Sequence, residues 1–435
     1  MNKSKEYKEY IEQNFMESKK SALEVSRAIL HSELNAGGQA YTRTLHIPKI
    51  FTHQDKQNFT NIVNTTYGIF KKVIQAYRKD EDIRLLFPFD KRLEELILLP
   101  KTYDIDIPIC RVDIFYDEET KDFYFCEFNT DGTSAMNENR RLHQFLKEYN
   151  NVYQQDTELY EEMELLHKWT KEFLKTARSI EGMPEKPNIA IVDFLDHAYL
   201  SELKVYQKEF SEMGCLCEVV DIRELSLDGK ELKTPSGMKV DVIYRRAVTS
   251  DVMEKYDEVQ SFIQAVKEGY VAIIGQFQTQ LVHHKEISKI LVNPMMQKYF
   301  TQEEIDFIHA HVPNTYDLNQ DVPIDWKEKD QWIIKPKDSF ASKGVWAGVD
   351  YDQEQWEQKV LENMDNDYII QRYIRPYQSE NIDLVNSDEF DTFSNMSGLY
   401  VFNGQFAGVY SRMSDGGIIS TQYNEKTVPT LFTKD

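Results

Sequence analysis

The sequence contains little glycine and little cysteine. Only 17 of its 435 residues are glycine, below the usual ~7%, so a glycine pair such as Gly416-Gly417 is informative. The four cysteines form no C-x-x-C pair, which disfavours a zinc site or a thiol-redox motif. We therefore interpret all four as reduced, structural thiols.

Long apolar stretches are also missing. No run approaches the roughly 18 residues that a membrane-spanning helix needs. The charged beginning, MNKSKEYKEYIEQNF, lacks the apolar stretch and cleavage site of a signal peptide. We expect a cytoplasmic location and no membrane partner.

Several common catalytic motifs do not occur. The sequence has no G-x-G-x-x-G, no G-x-x-x-x-G-K-[ST], no G-x-S-x-G and no H-E-x-x-H. Their absence disfavours a Rossmann dehydrogenase, a P-loop NTPase, an α/β-hydrolase and a zincin.

The charge balance is strongly acidic. With 73 acidic and 51 basic residues the net charge is −22, which repels a phosphate backbone and argues against a nucleic-acid partner. Any polyanionic ligand must meet a local basic cluster. The length and the 41% hydrophobic content favour two to three packed modules.

The patterning divides the chain into four parts. Residues 1–95 read as mostly helical, because apolar residues recur at three- and four-residue spacing. Residues 96–180 contain a strand hairpin followed by a long helix, expected from Leu159 to Ile180. Residues 181–278 alternate short buried strands with helices, which predicts a small parallel α/β layer. Residues 279–435 are rich in strands.

The hairpin carries the first set of candidate functional residues. Arg111 and Asp113 lie two apart on one strand, and Glu127 and Asn129 lie two apart on the next. Residues two apart share a face of a strand, so all four charged or amide groups are expected at a common site. Two carboxylates and a carboxamide are hard oxygen ligands of the kind that Mg²⁺ takes. The alternative is a solvated hairpin face with ordinary cross-strand salt bridges.

A second candidate lies in WIIKPKDSFASKGVWAGV. A buried strand ends at Lys335-Pro336, and a loop of small residues from Ser339 to Gly344 follows. A lysine at a strand end can reach phosphates, and small side chains let backbone N–H groups approach them. The alternative is an ordinary solvated turn between two strands.

The order of these parts resembles the glutathionylspermidine synthase and eukaryotic glutathione synthetase branch of the ATP-grasp ligases. The resemblance covers roughly Ile105 to Thr421, and its most specific element is R-x-D followed by E-x-N. It implies an α/β fold of the ATP-grasp type in permuted order, with two antiparallel sheets enclosing ATP. A small parallel α/β layer and a helical N-terminal region complete the expected architecture.

The resemblance also implies roles for individual residues. Arg111 would act at the transferring phosphoryl group, and magnesium would be held by Asp113, Glu127 and Asn129. ATP would be contacted by Lys285, Lys335, Ser339, Ser342, Gly344, Gln371, Tyr373 and Ile374. The carboxylate substrate would be contacted by Ser134, Arg246, Arg412, Gly416 and Gly417. For Arg246 and Arg412 the alternative is a structural ion pair.

The sequence departs from this family in two respects. Glutathione synthetases carry three glycines and a metal-binding glutamate in the loop after Lys-Pro, whereas this chain has Ser339 at the position of that glutamate. Asp113 could supply the missing metal contact. The first ~100 residues contain no recognisable amidase pair, so only the synthetase half of a bifunctional enzyme is expected.

The implied reaction is the ATP-dependent joining of a carboxylate to an amine through an acyl phosphate, with release of ADP and phosphate. The acid is expected to be a small molecule, such as a peptide or an amino acid, and the amine could be a polyamine. Two alternatives remain: a nucleotide-binding protein that no longer ligates, and a phosphotransferase that uses the same site.

Overall fold

The computed structural model describes residues 3–36, 39–40, 42–338, 343–420 and 425–434. Within these ranges no helix combines the length and the apolar character needed to cross a membrane. The helices are α1 (Lys3–Gln13), α2 (Phe15–Leu30), α3 (His53–Lys79), α4 (Glu81–Arg84), α5 (Lys91–Leu98), α6 (Met136–Tyr149), α7 (Leu166–Arg178), α8 (Leu200–Glu212), α9 (Thr249–Glu254), α10 (Gln260–Lys267), α11 (Gln280–His283), α12 (Ile287–Leu291), α13 (Pro294–Gln297), α14 (Gln302–His311) and α15 (Gln353–Asn363).

The strands form several sheets. They are β1 (Asn35–Ala36), β2 (Gln39–Ala40), β3 (Lys49–Phe51), β4 (Ile109–Tyr116), β5 (Phe123–Asn129), β6 (Tyr160–Glu162), β7 (Ile189–Asp193), β8 (Cys217–Asp221), β9 (Ser226–Asp228), β10 (Glu231–Lys233), β11 (Val242–Arg245), β12 (Ala272–Ile274), β13 (Thr315–Asp317), β14 (Trp332–Pro336), β15 (Trp346–Ala347), β16 (Tyr368–Arg372), β17 (Gln378–Ile382), β18 (Phe390–Phe402), β19 (Gln405–Ser414), β20 (Lys426–Val428) and β21 (Thr430–Thr433).

The largest sheet has the strand order β20-β19-β18-β4-β5, with β17 also paired to β18. Its strand pairs are antiparallel. Alternate residues of each strand face opposite sides, and the apolar set, which includes Val112 and Leu399, packs with Phe59 and Phe70 of α3 in one core cluster. The polar residues of these strands therefore lie on the face away from α3.

A smaller antiparallel sheet has the order β13-β16-β14-β15. Its own core contains Trp332, Ile334 and Ile370, which pack with Trp356 and Val360 of α15. The two antiparallel sheets that the strand clusters predict are thus both present.

The third main sheet is fully parallel and has the order β12-β11-β7-β8. It confirms the small parallel α/β layer of the predicted fold, whereas the bounds of a domain at 181–278 stay a prediction. The predicted helix from Leu159 to Ile180 is wrong at its beginning, because β6 occupies Tyr160–Glu162 and α7 begins only at Leu166. Strand β6 pairs with β21, which also pairs with β3. The local sequence pattern favours a helix, but pairing with a strand that is distant in sequence determines the structure here.

The N-terminal region is mainly helical, as predicted, and it supports the large sheet. Helix α3 begins with a capping box, in which Thr52 and Asp55 each bond the other's backbone N–H group. Such boxes satisfy two N–H groups that have no partner within the helix. The apolar spacing that predicted this helix matches its buried face, which includes Phe59, Val63 and Phe70.

Candidate active site

The predicted charged face of the hairpin is present. In the ladder between β4 and β5, Arg111 pairs with Asn129 and Asp113 pairs with Glu127, so the four side chains share one face of the sheet. The register then shifts between Asp113 and Ile114, and this leaves Cys126 as the extra residue of a β-bulge. A bulge re-aims neighbouring side chains, and here both Cys126 and Glu127 line the same cavity.

Asp113 is the centre of a dense set of ion pairs. It is fully buried and accepts two hydrogen bonds from Arg111, at 2.7 and 3.0 Å. It also accepts bonds from Arg412 and from the Asn129 amide, the latter at 2.9 Å. The carboxylate therefore already has two cationic partners and one neutral donor.

A glycine on the neighbouring strand makes room for these ion pairs. Gly398 of β18 pairs with Asp113. A Cβ at this position would lie 2.7 Å from Arg111 Cδ and 2.8 Å from Asp113 Oδ1. Glycine is therefore required next to the Arg111–Asp113 ion pair. The sequence analysis missed this role. The available signal was a glycine inside a buried strand of a glycine-poor chain.

Glu127 is held in its charged form. Burial raises the pKa of its carboxyl, but the nearby charges of Lys285, Arg412, Arg111 and Lys335 outweigh that effect and lower the pKa to about 2. Opposite charges nearby favour the ionised form. Glu127 is therefore a carboxylate at neutral pH, surrounded by cationic side chains.

The two predicted nucleotide lysines approach Glu127 from different elements. Lys335, on β14, donates to Gln371 at 2.8 Å, and Gln371 donates to Thr315 at 2.8 Å. Lys285 lies between α11 and α12. Its backbone N–H group bonds the Lys337 carbonyl oxygen at 3.1 Å. Burial lowers the pKa of Lys285, while the charge of Glu127 opposes this shift.

A cavity between the two antiparallel sheets brings these residues together. Its lining combines apolar side chains with charged and amide groups. The lining includes Ile333, Val345, Met396, Tyr373, Ile374 and Ile418, together with Glu127, Lys285, Lys335 and Gln371. An apolar pocket with a few convergent polar groups is the usual form of a small-molecule site.

The predicted glycine loop reaches this cavity. Gly417 lines it, and its carbonyl oxygen accepts a hydrogen bond from the Tyr373 hydroxyl at 2.9 Å. A Cβ at Gly417 would lie 2.5 Å from Asp350 Oδ1, so close packing requires glycine here. Gly416 is the neighbouring residue of the loop. Gly344, at the end of the predicted phosphate loop, has a φ of +70°, whereas Ser339 and Ser342 lie outside the described residues.

The predicted substrate arginines are both buried and both form ion pairs. Arg412 contacts Asp113 and, at 3.4 Å, Glu425. Arg246 contacts Glu202 at 3.4 Å and the Thr133 carbonyl oxygen. These contacts match the structural alternative considered for the two arginines, and binding of a substrate carboxylate stays a prediction for both.

Arg111 and Arg412 lie near one aromatic ring. Their guanidinium carbons lie 5.5 and 5.6 Å from the ring centroid of Tyr410, within cation–π range. Arg111 also donates to the Ser134 carbonyl oxygen at 3.5 Å, so the predicted substrate residue Ser134 lies beside the arginines.

Comparison with solved structures identifies the architecture. The chain is similar to a glutathione synthetase-like effector, GSS30, from Globodera pallida, with a TM-score of 0.60 and 11% sequence identity over 95% of this chain and 96% of that chain. The chain has an ATP-grasp fold. The fold predicted from the sequence is therefore confirmed, whereas the glutathionylspermidine synthase type stays a prediction.

Two further similarities have TM-scores below 0.5 and support no argument. One is to a gamma-glutamylcysteine synthetase-like protein from Methylobacillus flagellatus, with a TM-score of 0.45 and 9% identity over 88% of this chain and 90% of that chain. The other is to the ATP-grasp ligase PsnB complexed with a minimal precursor, with a TM-score of 0.31 and 12% identity over 57% and 90%. No family model and no curated protein sequence matches the chain.

A buried acid that the sequence analysis missed contacts the tyrosine beside the two arginines. Glu138, in the first turn of α6, accepts hydrogen bonds from the Tyr410 and Thr427 hydroxyls. Burial raises the pKa of its carboxyl to about 7, although both hydroxyls act in the opposite direction. Nothing in the local sequence distinguishes Glu138 from an ordinary helix residue, since its partners are on β19 and β20.

The donor atoms at the candidate site fit a magnesium ion in part. Glu127 and Asn129 line a pocket that adjoins this cavity, and Mg²⁺ is commonly held by one or two carboxylates together with water and phosphate oxygens. Asp113 would first have to exchange one of its present donors. Among the described residues, no group of three His, Cys, Asp or Glu side chains could hold a metal ion. The three-residue magnesium site therefore stays a prediction.

Proposed function

We propose that this ATP-grasp protein is an ATP-dependent carboxylate–amine ligase. The observation that supports the proposal most strongly is the convergence of Lys285, Lys335 and Glu127 in one cavity between the two antiparallel sheets. This cavity adjoins the polar sheet face that carries Arg111 and Asp113. A basic cluster inside a chain of net charge −22 is what a polyphosphate ligand requires.

In the proposed reaction a carboxylate oxygen attacks the γ-phosphorus of ATP, and ADP leaves. The amine nitrogen then attacks the carbonyl carbon of the acyl phosphate, phosphate leaves, and the nitrogen loses a proton. The protein supplies no covalent nucleophile; it positions the reactants and neutralises charge.

Each charged residue has a part in that scheme. Lys285 and Lys335 would bind the phosphates, and the backbone around Tyr373 and Ile374 would bind the base. Glu127 and Asn129 would hold magnesium, which would neutralise charge on the phosphates. Arg111 would stabilise the charge that develops on the transferred phosphoryl group.

The substrate assignment is a finer part of the proposal. Arg246 and Arg412, with Ser134 and the Gly416-Gly417 loop, would contact the acid, a peptide or amino acid. The amine would be a polyamine, as in a glutathionylspermidine synthase-like reaction, because an acidic protein favours a cationic substrate. A nucleic acid or a membrane is no part of this proposal.

One observation favours a second candidate, a nucleotide-binding protein that does not ligate. Asp113 is occupied by two guanidinium groups, and Ser339 stands where related enzymes have a loop glutamate. Both features reduce the number of carboxylates available to a metal.

A substrate panel separates the candidates. Amino acids and short peptides are each combined with polyamines and other amines in the presence of ATP and Mg²⁺, and ADP and coupled mass are measured. The ligase predicts ADP formation that requires both an acid and an amine. Lys335→Ala should abolish it, whereas Lys327→Ala, at an exposed lysine of the same sheet region, should not. ATP binding without ADP formation in any combination would favour the second candidate.

A further inference from the structure

Four charged side chains form a closed ring beside the cavity. Lys337 Nζ lies 2.8 Å from Glu286 Oε1 and 2.9 Å from Asp317 Oδ1. Lys289 Nζ lies 3.0 Å from the same Glu286 oxygen and 2.6 Å from the same Asp317 oxygen. Each ammonium group thus bridges the same two carboxylates, so the ring consists of four ion pairs and alternates in sign.

The ring joins two separate parts of the fold. Glu286 and Lys289 belong to the segment of α12, whereas Asp317 ends β13 and Lys337 directly follows β14 of the small antiparallel sheet. Two of the ion pairs lie within these parts, and the other two, Lys337–Glu286 and Lys289–Asp317, cross between them. Both parts therefore contribute one acid and one base to the connection.

The nucleotide lysines lie at the two sides of this connection. Lys285 directly precedes Glu286, and Lys335 lies two residues before Lys337. The hydrogen bond from the Lys285 backbone N–H to the Lys337 carbonyl oxygen, at 3.1 Å, connects the same two segments as the ring. The ring and this bond together fix the backbone of one lysine relative to the backbone of the other.

Without such a connection the two lysines would tend to separate. Both face Glu127. Burial is the main cause of the lowered pKa of Lys285, and the nearby charge of Lys335 acts in the same direction, as expected for two ammonium groups that repel each other. Their separation must match the spacing of adjacent phosphate groups if both are to bind one chain. The ring can therefore contribute mainly a fixed separation between Lys285 and Lys335, and not additional positive charge.

Water has access to part of the ring, which limits what each of its ion pairs contributes to the stability of the fold. The Glu286 side chain is only 6% exposed, but that of Lys289 is 23% exposed and that of Asp317 is 42% exposed. Ion pairs with water access contribute little to stability individually, whereas a network can still hold a defined geometry.

We propose that the ring of Glu286, Lys289, Asp317 and Lys337 positions Lys285 against Lys335 so that both ammonium groups bind the same polyphosphate. The four are positioning residues that act through the two lysines. This inference rests on the proposed function, because it takes the ligand of the cavity to be a nucleoside triphosphate.

The sign of the effect of Glu286→Gln distinguishes positioning from simple electrostatics. The substitution removes a negative charge beside a phosphate site, so electrostatic attraction alone predicts tighter ATP binding. Loss of positioning predicts weaker binding. We expect the Kd for ATP with Mg²⁺ to rise roughly tenfold, equivalent to ~1.4 kcal/mol, and Asp317→Asn to act in the same direction. Glu303→Gln, at an exposed acid of α14, is the matched control and should leave the Kd unchanged.

Charge inversion tests the geometry directly. The double variant E286K/K289E keeps the net charge but places like charges opposite each other at both crossing contacts. The quadruple variant E286K/K289E/D317K/K337E has the same net charge and restores attraction at every contact. We expect the double variant to bind ATP more weakly than wild type and the quadruple variant to recover a large part of the loss. The melting temperature of each variant is also measured, so that weaker ATP binding can be distinguished from unfolding of the variant.

Titration calorimetry with ATP and Mg²⁺ decides the outcome. The inference is overturned if Glu286→Gln binds ATP as tightly as wild type or more tightly, or if a folded quadruple variant shows no recovery. In either case the loss of binding in Lys335→Ala shows that the proposed ATP site itself is still supported. If the wild-type chain binds no ATP, the proposed function is wrong, and the inference is overturned with it.

Discussion

Asp113 illustrates how much of this site depends on single residues. A carboxylate with no exposure to water is stable only if its charge is compensated, and here two guanidinium groups and an amide do so. That arrangement needs open space above β18, which Gly398 supplies. The ion pairs of Asp113 therefore depend on the lack of a side chain at Gly398 as well as on the charged groups.

Gly398→Ala tests that space. The added methyl group would overlap Arg111 and Asp113, so the ion pair must shift and leave a buried charge poorly compensated. We expect the melting temperature to fall by several degrees, as for a loss of ~2 to 4 kcal/mol, and ADP formation to be lost. Gly68→Ala is the control: nothing lies within 4 Å of a Cβ there, and this position in α3 should gain ~0.5 to 1 kcal/mol. An unchanged Gly398→Ala enzyme would contradict the assignment.

Glu138 gives a prediction about pH. Its pKa is raised from 4.5 to about 7, chiefly by burial, so the folded state binds this proton more tightly than the unfolded state. The contribution of this group to stability is then greatest below about pH 4.5 and is lost as the pH rises towards 7. Glutamine keeps an oxygen acceptor for Tyr410 and Thr427 but cannot ionise.

Melting temperatures from pH 5 to pH 8 check this expectation. Wild type should lose stability across the range relative to Glu138→Gln, and the two curves should converge at the acid end. Glu95→Gln, an exposed acid on α5, should follow wild type throughout. Parallel curves for wild type and Glu138→Gln would show that Glu138 does not titrate in this range.

At the level of secondary structure, the strands were predicted more reliably than the connections between them. The β4–β5 hairpin, the parallel strands and the strand that ends at Lys335 follow from short buried runs with turn residues between them. Their faces follow from the two-residue period of a strand. The common face of Arg111, Asp113, Glu127 and Asn129 could therefore be derived before the structure was known.

The errors at this level have a common physical cause. Strand β6, where a helix was expected, depends on a partner far away in the chain, and so does the break between α11 and α12 at Lys285. Lys285 bonds the Lys337 carbonyl oxygen, and β6 pairs with β21. The bulge at Cys126 is likewise set by the ladder with β4. Local periodicity contains no information about such contacts.

The ring of Glu286, Lys289, Asp317 and Lys337 belongs to the same class of features. Each member reads as an ordinary surface charge in the sequence. Only the packing of α12 against the small sheet brings them together. The buried partners of Glu138 could not be predicted for the same reason, whereas the residues of the hairpin could. Gly398 offered a signal, a glycine inside a buried strand, but its neighbours Arg111 and Asp113 become apparent only in the structure.

At the scale of the whole molecule, an acidic chain encloses a cationic cavity between two antiparallel sheets. In the proposed function the phosphates would lie beside Lys285 and Lys335, and Arg111 and Arg412 would lie on the side of the acid. A reaction that begins with phosphoryl transfer to a carboxylate and ends with attack by an amine can proceed along this one face. The central claim is therefore that the carboxylate is activated as an acyl phosphate.

Oxygen transfer tests that claim most directly. With an acid and amine pair that supports ADP formation, both carboxylate oxygens of the acid are labelled with ¹⁸O, and the released phosphate is analysed by mass spectrometry. Activation through an acyl phosphate predicts one labelled oxygen in each phosphate, because the bridging oxygen leaves with phosphorus when the amine attacks. Phosphate that contains no label, or label that remains on a phosphorylated acid without amide product, would contradict the account.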